Sequence, residues 1–133
     1  MFTKSTPVLV VETIEPSLSL WVDRLGFTKT MEVPHESALG FVGLERDGVE
    51  IMYQSRASAV ADDENFIGED TDHSSIIYIE VADLDWIVER LGDVEVVVPL
   101  RETDYGMREV FIREPGGHII GFAGRVTDEG SAE

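Results

Sequence analysis

Side chains that could do chemistry alternate with apolar residues along two short stretches of the chain. The first stretch carries Glu50, Met52 and Gln54, and the second carries Tyr78 and Glu80. Residues two apart on a strand face the same side of a sheet, so each set can line one surface. Carboxylates pair with positive charge, and aromatic rings attract cations through their faces. These residue types therefore indicate a surface for a flat cationic or aromatic ligand.

Further side chains could close the rim of such a surface. They are aromatic or flexible and apolar, and they are Phe41, Phe66, Tyr105 and Met107. A purely structural interpretation is equally open. Tyr78 and Met52 could fill the interior of the protein instead. Glu50 and Glu80 could pair with an arginine such as Arg108.

The sequence lacks the residues or motifs that several classes of active site require. Cysteine is absent, which excludes disulfides, thiolate zinc sites and a cysteine nucleophile. The chain has no nucleophile elbow and no phosphate-binding loop, so hydrolase and nucleotide-binding functions have no motif to support them. The acidic run at residues 62–64 is too irregular for a calcium-binding loop.

The charge of the chain restricts its partners. The formal net charge is -17, from 27 acidic and 10 basic residues. Nucleic acids and anionic membranes would be repelled, whereas a cationic ligand would be attracted. A solvated acidic surface or adaptation to a salt-rich cytoplasm would explain the same composition. With no signal peptide and no apolar run near the roughly 20 residues that span a bilayer, we expect a cytoplasmic protein.

The elements that must position these residues occur twice. Val-Asp-Arg-Leu-Gly at residues 22–26 and Val-Glu-Arg-Leu-Gly at residues 88–92 each close a helical pattern. Strand-like runs precede them at residues 6–11 and 76–81, and further strands that turn through glycine follow. This repeat predicts an α+β fold of two pseudo-symmetric βαβββ modules whose sheets form a cleft. Function, if present, should lie in that cleft.

The ends of the predicted helices are marked by capping residues. The first helix covers residues 14–25 and ends at Gly26, while the second begins after Asp83 and ends at Leu91 with Gly92 as its cap. The remaining strands are predicted over residues 27–33, 39–46, 49–54, 94–98, 107–113 and 118–123.

We predict one domain over residues 1–126, divided by an acidic connection. Module one, the acidic linker, module two and a polar tail cover residues 1–56, 57–73, 74–126 and 127–133. Within the linker, residues 61–72 are strongly acidic and contain Phe66. This segment is either a lid whose phenylalanine folds over the cleft or a solvated connector.

Four stretches of the sequence carry a family resemblance. They are Thr-Pro-Val-Leu at residues 6–9, Leu-Trp-Val-Asp-Arg-Leu-Gly-Phe at 20–27, Ile-Glu-Val-Ala-Asp at 79–83 and Arg-Glu-Val-Phe-Ile-Arg-Glu-Pro-Gly-Gly-His at 108–118. Together with the repeat, they resemble the vicinal oxygen chelate superfamily, which includes glyoxalase I, extradiol dioxygenases, fosfomycin resistance enzymes and bleomycin resistance proteins. Among these, the chain is most similar to the bleomycin resistance proteins. The resemblance is specific for the fold, which hosts unrelated functions.

The resemblance implies where a metal would be held. Metal enzymes of the superfamily use His, Glu or Gln at four strand positions, one pair in each module. The matching positions here carry Thr6, Glu50, Ile76 and Gly121. Because only Glu50 could bind a metal, we expect no catalytic metal and no cofactor. A shifted register would bring His73 closer to the position of Ile76.

The resemblance implies a binding protein rather than an enzyme. It would be a metal-independent protein of the bleomycin-resistance type that sequesters a cationic or aromatic small molecule in the cleft. An enzyme of the superfamily with an altered metal site, such as a lyase, isomerase or dioxygenase, is one alternative. A dimeric interaction module without a ligand is another. The resemblance also implies a homodimer, in which modules can pair across chains after an arm is swapped.

Overall fold

Each half of the chain folds into its own four-stranded sheet with helices. The computed structural model describes residues 1–66 and 75–126. The chain divides into unit 1, Met1–Asp72, and unit 2, His73–Glu133. The two similar sheets with their helices confirm the predicted α+β fold of two related modules.

Unit 1 begins with a strand and a helix and continues with three strands. Its elements are β1 Val8–Val11, α1 Glu15–Leu18, a π-helical segment Ser19–Arg24, β2 Thr28–His35, β3 Ala38–Arg46, β4 Val49–Ser55, α2 Arg56–Asp62 and a 3-10 turn Glu64–Phe66. The sheet order is β1-β4-β3-β2, and β1 runs parallel to β4. Asp47 and Gly48 have φ values of 54° and 85°. These positive values form the tight hairpin turn predicted between β3 and β4.

Unit 2 repeats this arrangement. Its elements are β5 Ile76–Glu80, α3 Leu84–Arg90, β6 Glu95–Glu102, β7 Met107–Arg113 and β8 Ile119–Arg125. The order β5-β8-β7-β6 is that of unit 1, and β5 again runs parallel to the last strand. Asp83 caps α3 as predicted, because its carboxylate accepts a hydrogen bond from the Trp86 N–H at 3.1 Å.

Strand alternation places the core of each unit between its sheet and its helices. In unit 1, Leu9, Ile51 and Tyr53 are buried, and Tyr53 accepts a hydrogen bond from the Trp21 indole at 2.8 Å. In unit 2, the buried side chains on this side of the sheet include Val110, Ile112, Ile120 and Phe122. The residues in between point to the other side of each sheet, which we call the opposite face.

Three segments differ from the sequence prediction. Strand β6 continues through Pro99 to Glu102, past the predicted end of this strand at residue 98. The first helix changes from α-helical to π-helical geometry at Ser19, and the Leu25 N–H bonds to the carbonyl of Leu20. Helix α2 and the 3-10 turn occupy part of the predicted linker. Helix α2 is capped by the Ser55 hydroxyl, which accepts a hydrogen bond from the Ser58 N–H at 3.1 Å. The rest of the predicted lid, residues 67–72, lies outside the described residues.

Within residues 1–66 and 75–126, no helix has the length and apolar character needed to cross a bilayer.

Candidate functional site

The opposite face of unit 2 gathers aromatic and charged side chains from β5, β6 and β7 and from the turn between β6 and β7. Strand pairing places Tyr78 beside Gly121, Gly121 beside Phe111, and Glu109 beside Arg101. Glu109 and Phe111 are two residues apart on β7, so both side chains lie on this face. The register of the sheet thus brings residues that are distant in sequence into one site.

Glu109 is the centre of this site and is 1% exposed. The Tyr78 hydroxyl donates to Glu109 Oε1 at 2.6 Å. Arg101 donates to Glu109 Oε2 from Nε at 3.1 Å and from Nη2 at 2.8 Å. The Tyr105 hydroxyl lies 3.3 Å from both carboxylate oxygens. We call Glu109, Tyr78, Arg101 and Tyr105 the Glu109 cluster.

These hydrogen bonds fix the protonation states of the cluster. The hydrogen bond from Tyr78 holds the pKa of Glu109 below its ordinary value, with help from Arg101 and against the effect of burial. The same hydrogen bond, aided by desolvation and by negative charge on Glu109, raises the pKa of Tyr78 to about 12. At neutral pH the cluster therefore contains a charged carboxylate and a protonated phenol.

Gly121 makes room for an aromatic floor beside the cluster. A Cβ atom at this position would lie 2.5 Å from the Phe111 ring, closer than packed atoms can approach. The Phe111 ring lies 6.1 Å from the Tyr78 ring at an interplanar angle of 35°. The Arg101 guanidinium lies 5.8 Å from the Phe111 centroid. The missing side chain at Gly121 therefore lets Phe111 lie against the sheet next to Tyr78.

The partners of Glu109 are accessible although the carboxylate is not. Tyr78 is 44% exposed and Tyr105 is 63% exposed, and the Arg101 side chain is 54% exposed. A ligand reaching this face would meet two phenol rings and a guanidinium first. The buried negative charge beneath them makes the face suitable for a cation that stacks on the rings.

The opposite face of unit 1 is mainly apolar. Strand pairing places Val8 beside Met52 and sets Gln54 between Val10 and Phe41. The Gln54 amide donates to the Ser58 hydroxyl at 3.3 Å. Among the described residues, this face has no equivalent of the Glu109 cluster.

Glu50 has a surface partner. Its carboxylate lies 3.0 Å from the Lys4 ammonium, and the two side chains are 33% and 60% exposed. Arg108, which the sequence offered as a partner for Glu50 or Glu80, lies 3.3 Å from Asp85 instead.

The predicted site residues fall into three groups. Tyr78 and Tyr105 belong to the Glu109 cluster, and the exposed Glu80 is one of the negative charges that raise the pKa of Tyr78. Phe41, Met52 and Gln54 share the opposite face of unit 1, whereas Glu50 pairs with Lys4. The last two predicted residues are not brought into the cluster: Met107 is buried, and Phe66 is exposed at the end of the 3-10 turn.

Sequence reasoning missed three members of this face, Glu109, Arg101 and Phe111. A signal for two of them was present, because Glu109 and Phe111 follow Met107 at intervals of two along β7. Met107 was selected only as a residue that could close the rim, and alternation counted from it would have placed Glu109 and Phe111 on the same face.

The residues at the expected metal positions do not fit a metal centre. Of the four, only Glu50 has a ligating side chain, and its carboxylate is bound to Lys4. Gly121 has no side chain, and the space beside it is filled by the Phe111 ring. Across the described parts of the chain, no group of three or more His, Asp or Glu side chains is arranged to hold a metal ion.

Comparison with known proteins places this chain in a family. The model of the Glyoxalase/Bleomycin resistance protein/Dioxygenase superfamily matches residues 5–122. The chain therefore belongs to that superfamily. No curated protein matches the chain.

Solved structures share the fold at low sequence identity. The bleomycin-binding protein of bleomycin-producing Streptomyces verticillus, complexed with copper(II)-bleomycin, has a TM-score of 0.62 and 24% identity, with 92% of this chain and 95% of that chain covered. TioX from Micromonospora sp. ML1 has a TM-score of 0.72 and 17% identity, covering 93% and 99%. A glyoxalase-related enzyme from Fulvimarina pelagi has a TM-score of 0.75 and 15% identity, covering 98% and 96%. Because neighbours this distant in sequence include both a binding protein and an enzyme, they show the fold alone.

Proposed function

We propose that this protein is a metal-independent binding protein that sequesters a cationic or aromatic small molecule, in the manner of the bleomycin resistance proteins. The observation that carries the proposal is the Glu109 cluster, which presents two exposed phenol rings above a buried, charged carboxylate. A cation over the face of such a ring gains roughly 0.5–2 kcal/mol, depending on how far it is desolvated.

The surrounding charge favours the same class of ligand. The chain carries a net charge of -17, and Glu80 adds a carboxylate next to Tyr78 on the same strand. Long-range attraction would raise the local concentration of a cationic ligand, and salt would weaken its binding.

Known binding by a structural neighbour supports the proposal. The Streptomyces verticillus protein binds copper(II)-bleomycin and shares this fold. The alternative function, an enzyme of the superfamily, would be favoured by a metal centre, and the four residues at the expected positions supply only one ligand. A binding function requires no residues beyond those of the Glu109 cluster.

We further propose that the protein acts in the cytoplasm as a homodimer. The outer strands β2 and β6 expose the apolar side chains of Met31, Val33, Val96 and Leu100. Association of two chains would cover such surfaces. Light scattering at micromolar concentration tests this, and a monomeric mass would contradict it.

Calorimetric titration with bleomycin tests the main proposal. Copper(II)-bleomycin and metal-free bleomycin should be titrated into the protein at low and high salt. We expect binding that weakens at high salt and that weakens by about three- to thirtyfold in Tyr78→Ala, the range that a cation–π contact implies. Phe2→Ala removes another highly exposed aromatic ring, outside the Glu109 cluster, and should leave the affinity unchanged.

Two results would count against the proposal. Stoichiometric nickel, zinc, manganese or iron that is lost in Glu50→Ala would restore the enzyme alternative. Absence of binding to bleomycin at either salt would exclude this drug as the ligand, and a pull-down of cell metabolites with wild type and Tyr78→Ala would then decide whether any small molecule is bound.

A further inference from the structure

Two carboxylates in the described parts of unit 2 are buried, and their partners differ in kind. Glu114 accepts hydrogen bonds from the main-chain N–H groups of Gly116 and His118 at 2.9 Å and 2.7 Å, which fixes the turn before β8. Every described donor to Glu109 is instead a side-chain atom, from Tyr78, Arg101 or Tyr105. Main-chain donors cannot leave without unfolding the turn, whereas side-chain donors can be exchanged.

Arg101 has the properties of an exchangeable partner. It contacts one carboxylate oxygen through two N–H groups while more than half of its side chain remains exposed. The arginine is already largely solvated, so its own charge loses little when it leaves, and the cost falls on the buried carboxylate. The carboxylate cannot be left alone, because an unpaired buried charge is strongly unfavourable. Any group that displaces Arg101 must therefore bring its own positive charge.

We propose that Glu109 determines the specificity of the binding site for a guanidinium-type cation, and that Arg101 occupies this position as an internal counter-ion until such a ligand displaces it. This inference rests on the proposed binding function and specifies its ligand class. The paired contact of Nε and Nη2 with Glu109 shows the planar donor arrangement that the carboxylate accepts. A guanidinium on an aromatic ligand would reproduce these hydrogen bonds while its ring lies on Tyr78 or Tyr105.

An anionic ligand held by Arg101 would fit the site less well. Two of the donors of Arg101 are already directed at Glu109, which would repel a second anion from below. Glu80 contributes further negative charge near Tyr78. A cation replaces Arg101 with no change in the number of charges next to Glu109.

Calorimetric titration with benzylguanidinium and its neutral isostere benzylurea tests the displacement. Wild type should bind benzylguanidinium more tightly than benzylurea. Arg101→Gln removes the competing cation and should increase affinity for benzylguanidinium by about two- to fivefold, the equivalent of a partly exposed ion pair. Its affinity for benzylurea should not rise.

Two further variants complete the experiment. Arg113→Gln removes the same charge from an arginine of similar exposure that pairs with Glu95 at the other end of β7, and should leave both affinities unchanged. Glu109→Gln should lower affinity for benzylguanidinium by about ten- to a hundredfold, because it removes charge-assisted hydrogen bonds. Its folding is checked by thermal unfolding, and Arg101→Gln decides the result if Glu109→Gln does not fold.

The possible outcomes test this inference separately from the proposed binding function on which it rests. Weaker or unchanged binding of benzylguanidinium in Arg101→Gln overturns the inference, as does equal binding of the charged and neutral probes by wild type. Wild type that binds neither probe also overturns it. The proposed function is judged separately from the bleomycin titrations and the metabolite pull-down, and it stands if those succeed while the probes fail.

Discussion

The two units share a strand order but place their carboxylates in different environments. The Glu50 side chain in unit 1 is 33% exposed. It pairs at the surface with Lys4, whose side chain is 60% exposed. Glu109 in unit 2 is buried and is held by four side-chain donor atoms. Glu50 lies on β4 and Glu109 on β7, which are not corresponding strands of the two sheets. Burial and hydrogen-bond partners decide which carboxylate can recognise a charge.

The units also differ in where they bury a polar side-chain contact. In unit 1, the Trp21–Tyr53 hydrogen bond lies in the core between sheet and helix. In unit 2, the Glu109 cluster lies on the opposite face, where its outer members reach solvent. The first arrangement can only stabilise the unit, whereas the second can also meet a ligand.

The largest expected difference in stability is between the variants that remove Glu109 and Glu50. Glu109→Ala should lower the free energy of unfolding by about 2 kcal/mol, because hydrogen bonds to a buried charge are lost while the remaining Arg101 can be solvated. Glu50→Ala should lower it by less than about 0.5 kcal/mol, as expected for a surface ion pair. Urea unfolding measures both, and equal losses would contradict the distinction between the units.

The next effect concerns the floor of the site. Gly121→Ala should cost about 1–3 kcal/mol, because the new methyl group would overlap the Phe111 ring. Gly124→Ala on the same strand is the control, since its Cβ would have its nearest neighbours at 3.4 Å, an ordinary contact. Thermal unfolding compares the two variants. A harmless Gly121→Ala would show that the Phe111 ring is free to move.

Acid should reduce the difference between wild type and Glu109→Gln. The pKa of Glu109 is lower in the folded protein than its ordinary value of 4.5, so its contribution to stability is fully present above pH 4.5. That contribution is lost as the pH falls through the lower, folded value. Unfolding free energies measured from neutral pH downward should therefore converge. A constant gap would mean that the charge of Glu109 contributes no stability.

The smallest effect is spectroscopic. Hydrogen bonding raises the pKa of Tyr78 from 10.0 to about 12, so its stabilising effect is present below pH 10 and is lost as the pH rises through about 12. In an alkaline titration of phenolate absorbance, Tyr78→Phe should remove a component near pH 12. If the component persists, the late-titrating phenol belongs to another tyrosine.

Much of the fold could be predicted from the sequence because its signals are local. The repeated Arg-Leu-Gly ends of two helices, the cap at Asp83 and the turn at Asp47 each depend on a few neighbouring residues. Strand alternation likewise predicted the exposed Tyr78 and Glu80. These features require no knowledge of which strands pair.

The contact between Arg101 and Glu109 could not be predicted, because it depends on pairing between strands. Val98 lies beside Phe111 and Arg101 lies beside Glu109, so three steps along β6 match two steps along β7. This bulge, which contains Pro99, breaks the alternation along β6. A second register shift lies between Val96 and Val98, so the face of a β6 residue depends on the pairing and not on counting along the sequence. Its contact with Glu109 is visible only once the register is known.

The parallel pairing within each sheet has a consequence for the order of folding. Hairpin β3–β4 is closed by a short turn, whereas β1 pairs with β4 across all the intervening elements. Closing a longer loop costs more conformational entropy, so we expect the hairpin to form before β1 joins the sheet. The same applies to β5, which must wait for β8. During synthesis, the first strand of each unit would therefore leave the ribosome early and be among the last to become ordered.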